Sequence, residues 1–274
     1  MRIFITGSTG FIGQNLARVL LNHDLYLYKR GEDIEEAVSL FKPEIIYHLA
    51  AETSNEQKMY ESNVVLTQRL VDACRPLDYM AFICMGSSSE YGIKDGPMKE
   101  SDKCDPTTLY AKTKLLATQY CQFEAQTANK NIMVIRPFSP YGDGESSRRL
   151  IPRLIDSCLY HRHVDLYEGN HDFIHVSDLV IALLSFAYKI LPGEVINIGT
   201  GIQTSNLEVL EMVEKLTGER ANVTMHNEML KPTDSKIWVA DIEKALTFGW
   251  KPAVTLEEGL RRAVNEVRGT SETH

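Results

Sequence analysis

The sequence predicts an α/β fold of the doubly wound type, a parallel sheet covered by helices on both faces. Three observations carry that expectation. Apolar runs of strand length alternate with longer stretches of helical period. The strands are apolar throughout, as strands buried on both faces are. A glycine-rich turn joins the first strand to the first helix.

In chain order, RIFIT reads as a strand, FIGQNLARVLLNH as a helix, LYLYK as a strand and EEAVSLF as a short helix. EIIYHLAA is a strand, VVLTQRLVDAC a helix and MAFICMGSS a strand. TLYAKTKLLATQYCQFEAQTA then gives a long helix and IMVIRP a further strand. After Pro137 the pattern loosens into loops such as FSPYGDGESSRR and MHNEMLKPTDSK. DFIHV and EVINIG still look like sheet strands, so a smaller C-terminal region is interleaved with the sheet and not strung behind it. The tail VRGTSETH reads as frayed.

Bulk properties narrow the classes of function. A chain of 274 residues, 43% hydrophobic, holds one large α/β domain with a sizeable core. A formal net charge of -8 argues against general affinity for nucleic acid or an anionic membrane. Five cysteines without a CxxC pair suggest neither a disulfide framework nor a zinc or other metal site, and a reducing cytoplasm is the simplest compartment. No leader-like segment stands at the start, and no apolar run reaches the length of a membrane span.

The first chemical signal is TGSTGFIG, with Gly7, Gly10 and Gly13 between a strand and an amphipathic helix. Glycines let the backbone turn tightly and approach a pyrophosphate, whose charge meets the positive end of the helix. This is the context that a dinucleotide site in a Rossmann-type sheet requires. The second signal is Tyr110 and Lys114 in LYAKTK, one helical turn apart on a common face. A cation beside a phenol favours the phenolate, which suits an acid/base catalyst. The spacing alone is common, and its weight comes from CMGSSSEYG, which sets hydroxyls at the carboxyl end of a strand, where open α/β sheets bind ligands.

GSTGFIG, HLAA, SNVVLTQRLV, GSSSEYG, YAKTK, RPFSPYG, DFIHVSDL, NIGTG and ADIEKALTFGWKP, in that order, resemble the extended short-chain dehydrogenase/reductases of the NAD(P)-dependent epimerase/dehydratase family, which act on nucleotide sugars. The resemblance covers roughly residues 1 to 265. It implies that residues 1–138 with 171–200 hold the dinucleotide and that 139–170 with 201–268 form a nucleotide-sugar-binding region, leaving 269–274 as a tail. It implies Ser87 as the catalytic hydroxyl, Tyr110 as acid/base, and Lys114 as the residue that holds the nicotinamide ribose and tunes the tyrosine. Phe11, Ile12, Leu49, Ala50, Ala51 and Pro137 would join the glycines along the cofactor, while Asp33 and Ile34 resemble an acidic-aliphatic pair that holds adenine. Ser88, Ser89, Ser139, Arg148, Arg149, His171 and Lys231 fall on positions implied to face the nucleotide-diphosphate sugar, with Arg153 nearby. The helices at VVLTQRLVDAC and TLYAKTKLLATQYC resemble those that pair family subunits into homodimers.

Departures from the family pattern bear on the reaction. His171 and Lys231 stand where many members carry arginine, and both lack the planar guanidinium fork. Ser139 replaces a common asparagine. Family dehydratases place an acidic pair directly after the catalytic hydroxyl; here those positions are Ser88 and Ser89, and Glu90 comes one place late, which disfavours a dehydratase. At the end of the second strand Lys29 and Arg30 occupy the place where a carboxylate would select NAD, and cations there attract a 2'-phosphate. The short segment between that strand and HLAA points the same way by analogy. The expectation is therefore an NADPH-dependent reductase of a nucleotide-linked keto-deoxysugar, acting on a 4-keto group with NADP(H) favoured over NAD(H). A redox-neutral NAD-dependent epimerase is the alternative, with a 4,6-dehydratase and a non-catalytic NAD(P) sensor behind it.

Overall fold

The structure, a computed structural model, describes residues 1–229 and 236–271. Its chain runs β1 (Arg2–Thr6), α1 (Phe11–Val19), β2 (Asp24–Tyr28), α2 (Ile34–Phe41), β3 (Ile45–His48), α3 (Glu56–Tyr60), a π turn (Glu61–Val65), α4 (Leu66–Cys74) and β4 (Ala81–Met85). A 3₁₀ turn (Ser88–Tyr91) precedes α5 (Leu109–Thr127), β5 (Ile132–Pro137), α6 (Leu150–Tyr160), β6 (Val164–Glu168) and β7 (Asn170–His171). There follow α7 (Val176–Ala187), β8 (Val195–Ile198), β9 (Thr204–Ser205), α8 (Asn206–Thr217), β10 (Val223–Met229), α9 (Glu243–Thr247) and α10 (Leu256–Ser271).

The main sheet is parallel, in the order β2-β1-β3-β4-β5-β8. The order reverses about β1, which opens a crevice at the carboxyl ends of β1 and β3. Successive strand residues enter opposite cores, as a period of two demands. Ile3, Ile5, Ile45, Ile83 and Ile135 pack against α1 and α7. Phe4, Ile46, Phe82 and Val134 pack against α2, α4 and α5. The Rossmann-type sheet expected from the sequence is thus present.

A third core, from Ile151, Leu154, Leu166, Phe173, Val209, Val213 and Leu260, joins α6, α8 and α10 over the parallel pair β10-β6. EVINIG supplies β8, the edge of the main sheet, as expected. DFIHV does not form a sheet strand. Its Asp172 carboxylate, fully buried, accepts hydrogen bonds from the Thr200 amide (2.7 Å) and hydroxyl (2.6 Å), the Gly201 amide (3.0 Å) and the Ala240 amide (3.1 Å). Beyond a single parallel bridge between His175 and Tyr141, this side chain takes the place of a backbone ladder, and it ties the NIGTG loop to the return segment.

Candidate active site

The crevice opens into a cavity of about 870 Å³, running from the glycine turn past the β4 and β5 ends to β6 and β7. A shallower hollow of about 460 Å³ between Glu211, Glu214, Lys215 and Arg220 is an exposed dip in the surface of α8, far from these strand ends.

At the mouth, Gly7 has φ +71°, and a Cβ there would lie 2.6 Å from the Ala50 nitrogen; a Cβ on Gly13 would lie 2.1 Å from the Gly7 carbonyl oxygen. Side chains are excluded because backbone fills that space. Gly10 begins α1 with no side chain capping its first amides, so N–H groups and the positive helix end face the cavity. Gly7, Gly10, Phe11, Ile12, Gly13, Leu49, Ala51 and Pro137 all line it. A pyrophosphate fits this cradle. Ala50 does not line the cavity; it packs behind Gly7 and donates its amide to the Thr6 hydroxyl (3.2 Å).

Ser87, Tyr110 and Lys114 line the same cavity, with Ser88 and Ser89 beside them. Thr108 caps α5 through the Ala111 amide, so the helix starts at Leu109, one residue before Tyr110. A buried chain of polar groups holds this helix against the sheet. The Thr113 hydroxyl donates to the Tyr110 carbonyl (2.9 Å) and accepts from the Asn63 amide (3.0 Å). Asn63, in the π turn, also exchanges two hydrogen bonds with the Glu52 backbone. Its carbonyl accepts from the Thr67 hydroxyl (2.8 Å), whose oxygen in turn meets His48 Nε2 (2.8 Å). His48 Nδ1 faces the Thr6 hydroxyl (2.7 Å). These roles fit a neutral imidazole protonated at Nε2. Burial, with the Lys114 ammonium adding to it, pushes the His48 pKa down to about 3. Neither Asn63 nor His48 stands out in the sequence, although a histidine inside an apolar strand signals a buried polar partner.

Glu90 is not available as a base. It is fully buried: one carboxylate oxygen accepts the Ser87 amide (2.8 Å) and the other accepts Arg136 Nε (2.9 Å) and Nη2 (2.7 Å). Ser87 and Glu90 form a capping box on the 3₁₀ turn, in which the Ser87 hydroxyl oxygen accepts the Ser89 amide (3.2 Å).

In the second half of the cavity, Ser139 and His171 line the wall and share a hydrogen bond between Oγ and Nδ1 (3.2 Å). Arg149, the residue that caps α6, and Arg153 in its first turn also line it, as do Tyr167, Asn206 and the half-buried Trp238. Arg149 is held by Glu145 (2.8 Å). Arg148 is exposed outside the cavity, and Lys231 lies outside the described residues.

The cations at the end of β2, Lys29 and Arg30, are not among the residues that line the cavity. Arg30 faces Glu52 at 3.6 Å, with its side chain largely in solvent. Hydrogen bonds from the Asn55 and Ser54 amides hold the Glu52 carboxyl down to about 2, so an anion sits beside Arg30, between the lining residues Ala51 and Thr53. Asp33 is occupied as the cap of α2 through the Glu36 amide (2.9 Å), and Ile34 is buried in the core.

Comparison with known proteins agrees with this geometry. A family model described as the NAD dependent epimerase/dehydratase family matches residues 3–199. A relative from Bacillus subtilis named as an uncharacterized UDP-glucose epimerase, YtcB, is 28% identical, with 96% of this chain and 97% of the relative covered. MoeE5 in complex with UDP-glucuronic acid and NAD superposes with a TM-score of 0.89 at 29% identity, over 98% of this chain and all of that one. UDP-glucuronic acid 4-epimerase from Bacillus cereus, in complex with UDP-glucuronic acid and NAD, gives 0.89 at 25% identity over 98% and 100%. These NAD complexes overturn the expectation of NADP(H) and of an NADPH-dependent ketoreductase. The physical reason is visible at Arg30: its charge faces an ionised carboxylate, which would repel a 2'-phosphate, so two cations in the sequence do not amount to a phosphate site. The glycine cradle, the hydroxyl, phenol and ammonium on one wall, and the matching model together make this chain a member of the NAD dependent epimerase/dehydratase family.

Proposed function

We propose that the protein is an NAD-dependent nucleotide-sugar epimerase that inverts a hydroxyl-bearing carbon, C4, of a nucleotide-diphosphate hexose. The observation that carries this reading is the meeting of Ser87, Tyr110 and Lys114 on one wall of the glycine-turn cavity, with serines, not free carboxylates, next to the reacting hydroxyl. Elimination of water requires an acid and a carbon base beside that hydroxyl. Ser88 and Ser89 supply neither, and Glu90 is locked to Arg136.

Gly7, Gly10 and Gly13, with Leu49, Ala51 and Pro137, would hold NAD, which when bound supplies a reversible hydride acceptor. Tyr110 takes the proton from the sugar hydroxyl as that carbon is oxidised, and returns it when the carbon is reduced from the other face. Ser87 hydrogen-bonds the same oxygen. Lys114, one helical turn from Tyr110 on the same wall, would contribute positive charge toward the phenol and would hold the nicotinamide ribose. Ser139, Arg149, Arg153 and His171 would face the sugar and diphosphate, since they line the far half of the cavity. The named relatives bind UDP-glucose or UDP-glucuronic acid, which makes UDP-sugars the first substrates to try. Incubation with each and NAD, followed by proton NMR, should give the C4 epimer without net NADH; a 4-keto-6-deoxy product would overturn the reading.

A homodimer through α4 and α5 goes with this proposal. Leu109, Leu116 and Phe123, spaced by seven on α5, are exposed, as is Tyr60. A cytoplasmic setting also goes with it: no described helix is long and apolar enough to cross a membrane, and the cysteines lack paired spacing.

A further inference from the structure

We infer that Glu90 and Arg136 are positioning residues for Ser87, forming a buried ionic strut that sets where the Ser87 hydroxyl stands. The inference rests on the reading of Ser87 as a catalytic residue and deepens it.

Neither Glu90 nor Arg136 lines the cavity, and both are essentially without solvent contact. Their carboxylate and guanidinium meet through two hydrogen bonds from Arg136 to one Glu90 oxygen, which leaves the other oxygen to take the Ser87 amide at 2.8 Å. Arg136 belongs to β5, an inner strand of the main sheet paired between β4 and the edge strand β8. Its guanidinium lies 4.5 Å from the centre of the Tyr91 ring, and its Nη2 also reaches Cys104 Sγ at 3.3 Å. Tyr91 in turn donates its phenol to Asn197 of β8 (2.7 Å). The short turn that carries Ser87 is therefore tied at its C-terminal end both to β5, by charge through Glu90, and to β8, by a hydrogen bond through Tyr91, while the Glu90 carboxylate reaches back to the Ser87 amide at its start.

Stability alone gives little reason for such a pair. A buried ion pair loses in desolvation about what it gains in attraction, and apolar residues of equal volume often do as well. What apolar residues cannot do is hold a backbone amide at one fixed place. The acceptor supplied by Glu90 fixes the Ser87 backbone, and the capping box then fixes the side chain. A misplacement of about 1 Å at a reacting group can cost on the order of 100-fold in rate, so a rigid strut has a use in turnover that it lacks in folding.

The test is a double-mutant cycle on the full chain with UDP-glucose, comparing wild type, Ser87→Ala, Glu90→Gln and the double variant. Glu90→Gln should lower kcat on the order of 10- to 100-fold with KM little changed, and should cause no further loss of kcat in the Ser87→Ala background. Loss by the same factor in both backgrounds, or full kcat in Glu90→Gln, overturns the inference, because a general structural role would act whether or not the serine hydroxyl is present. Full activity in Ser87→Ala is a separate result that removes the catalytic reading of Ser87 and the inference with it. Where melting shows that Glu90→Gln does not fold, Glu90→Asp takes its place: it keeps the charge facing Arg136 while shortening the reach to the Ser87 amide, and the same two outcomes decide.

Discussion

His48 should make the stability of this protein acid-sensitive in a defined window, and the size of the effect follows from its surroundings. Its imidazole is buried between two threonine hydroxyls and near Lys114, which pushes its pKa from 6.5 to about 3. In the unfolded chain the ring regains an ordinary value near about 6.5. A depressed folded pKa contributes stability that is fully present above the unfolded value and erodes as pH falls toward the folded one. Well below pH 6.5 each pH unit removes about 1.4 kcal/mol and near 6.5 about half of that, so the fall from pH 6.5 to 4.5 costs about 2 kcal/mol. Acidic side chains titrate in the same range, and a comparison with His48→Gln, neutral at every pH, cancels their share. Urea unfolding of both proteins across this range should show the wild type losing about 2 kcal/mol more than the variant. Parallel curves would mean that His48 is protonated in the folded state or reached by solvent, and the neutral buried chain from Thr6 to Asn63 would be wrong.

Tyr110→Phe should bind nucleotide sugar as the wild type does while losing on the order of 100-fold or more in kcat; unimpaired turnover would refute the proton role. Gly7→Ala forces a side chain into a left-handed backbone and against Ala50, so it should cost at least about 2 kcal/mol in urea unfolding and abolish measurable NAD binding by calorimetry. Asp172→Asn leaves amide hydrogens facing amide donors around Thr200, Gly201 and Ala240, and thermal melting should report a loss of about 3 kcal/mol. Arg30→Ala should leave the preference for NAD over NADP in place, because the residue lines no part of the cavity and faces Glu52; a variant that loses NADP affinity selectively would restore the cationic reading of the β2 end.

The sheet was legible because its strands are apolar on both faces and because the glycine turn falls where a first strand meets a first helix. Ser87, Tyr110 and Lys114 could be found together because each sits at a strand end or helix start that the pattern locates. Features that depend on distant partners were harder. Lys29 and Arg30 read as a phosphate site, since nothing local reveals that Glu52, in the loop after the next strand, faces Arg30. DFIHV read as a strand because apolar runs look alike whether held by a ladder or by a buried aspartate. Arg136 carried a usable signal: an arginine inside an apolar inner strand requires a buried anion, and Glu90, one place late for an eliminating acid, was that anion.

Trp238 lines the far half of the cavity and packs on the cluster of Tyr91, Met98 and Phe138, while Trp250, the other of the two tryptophans, is buried in the main core. The protein therefore carries its own optical probe. Change in its intrinsic emission on adding a sugar nucleotide belongs to one indole of known position, and Trp238→Phe supplies the blank. Binding can in this way be followed without label or turnover, even in variants that perform no chemistry.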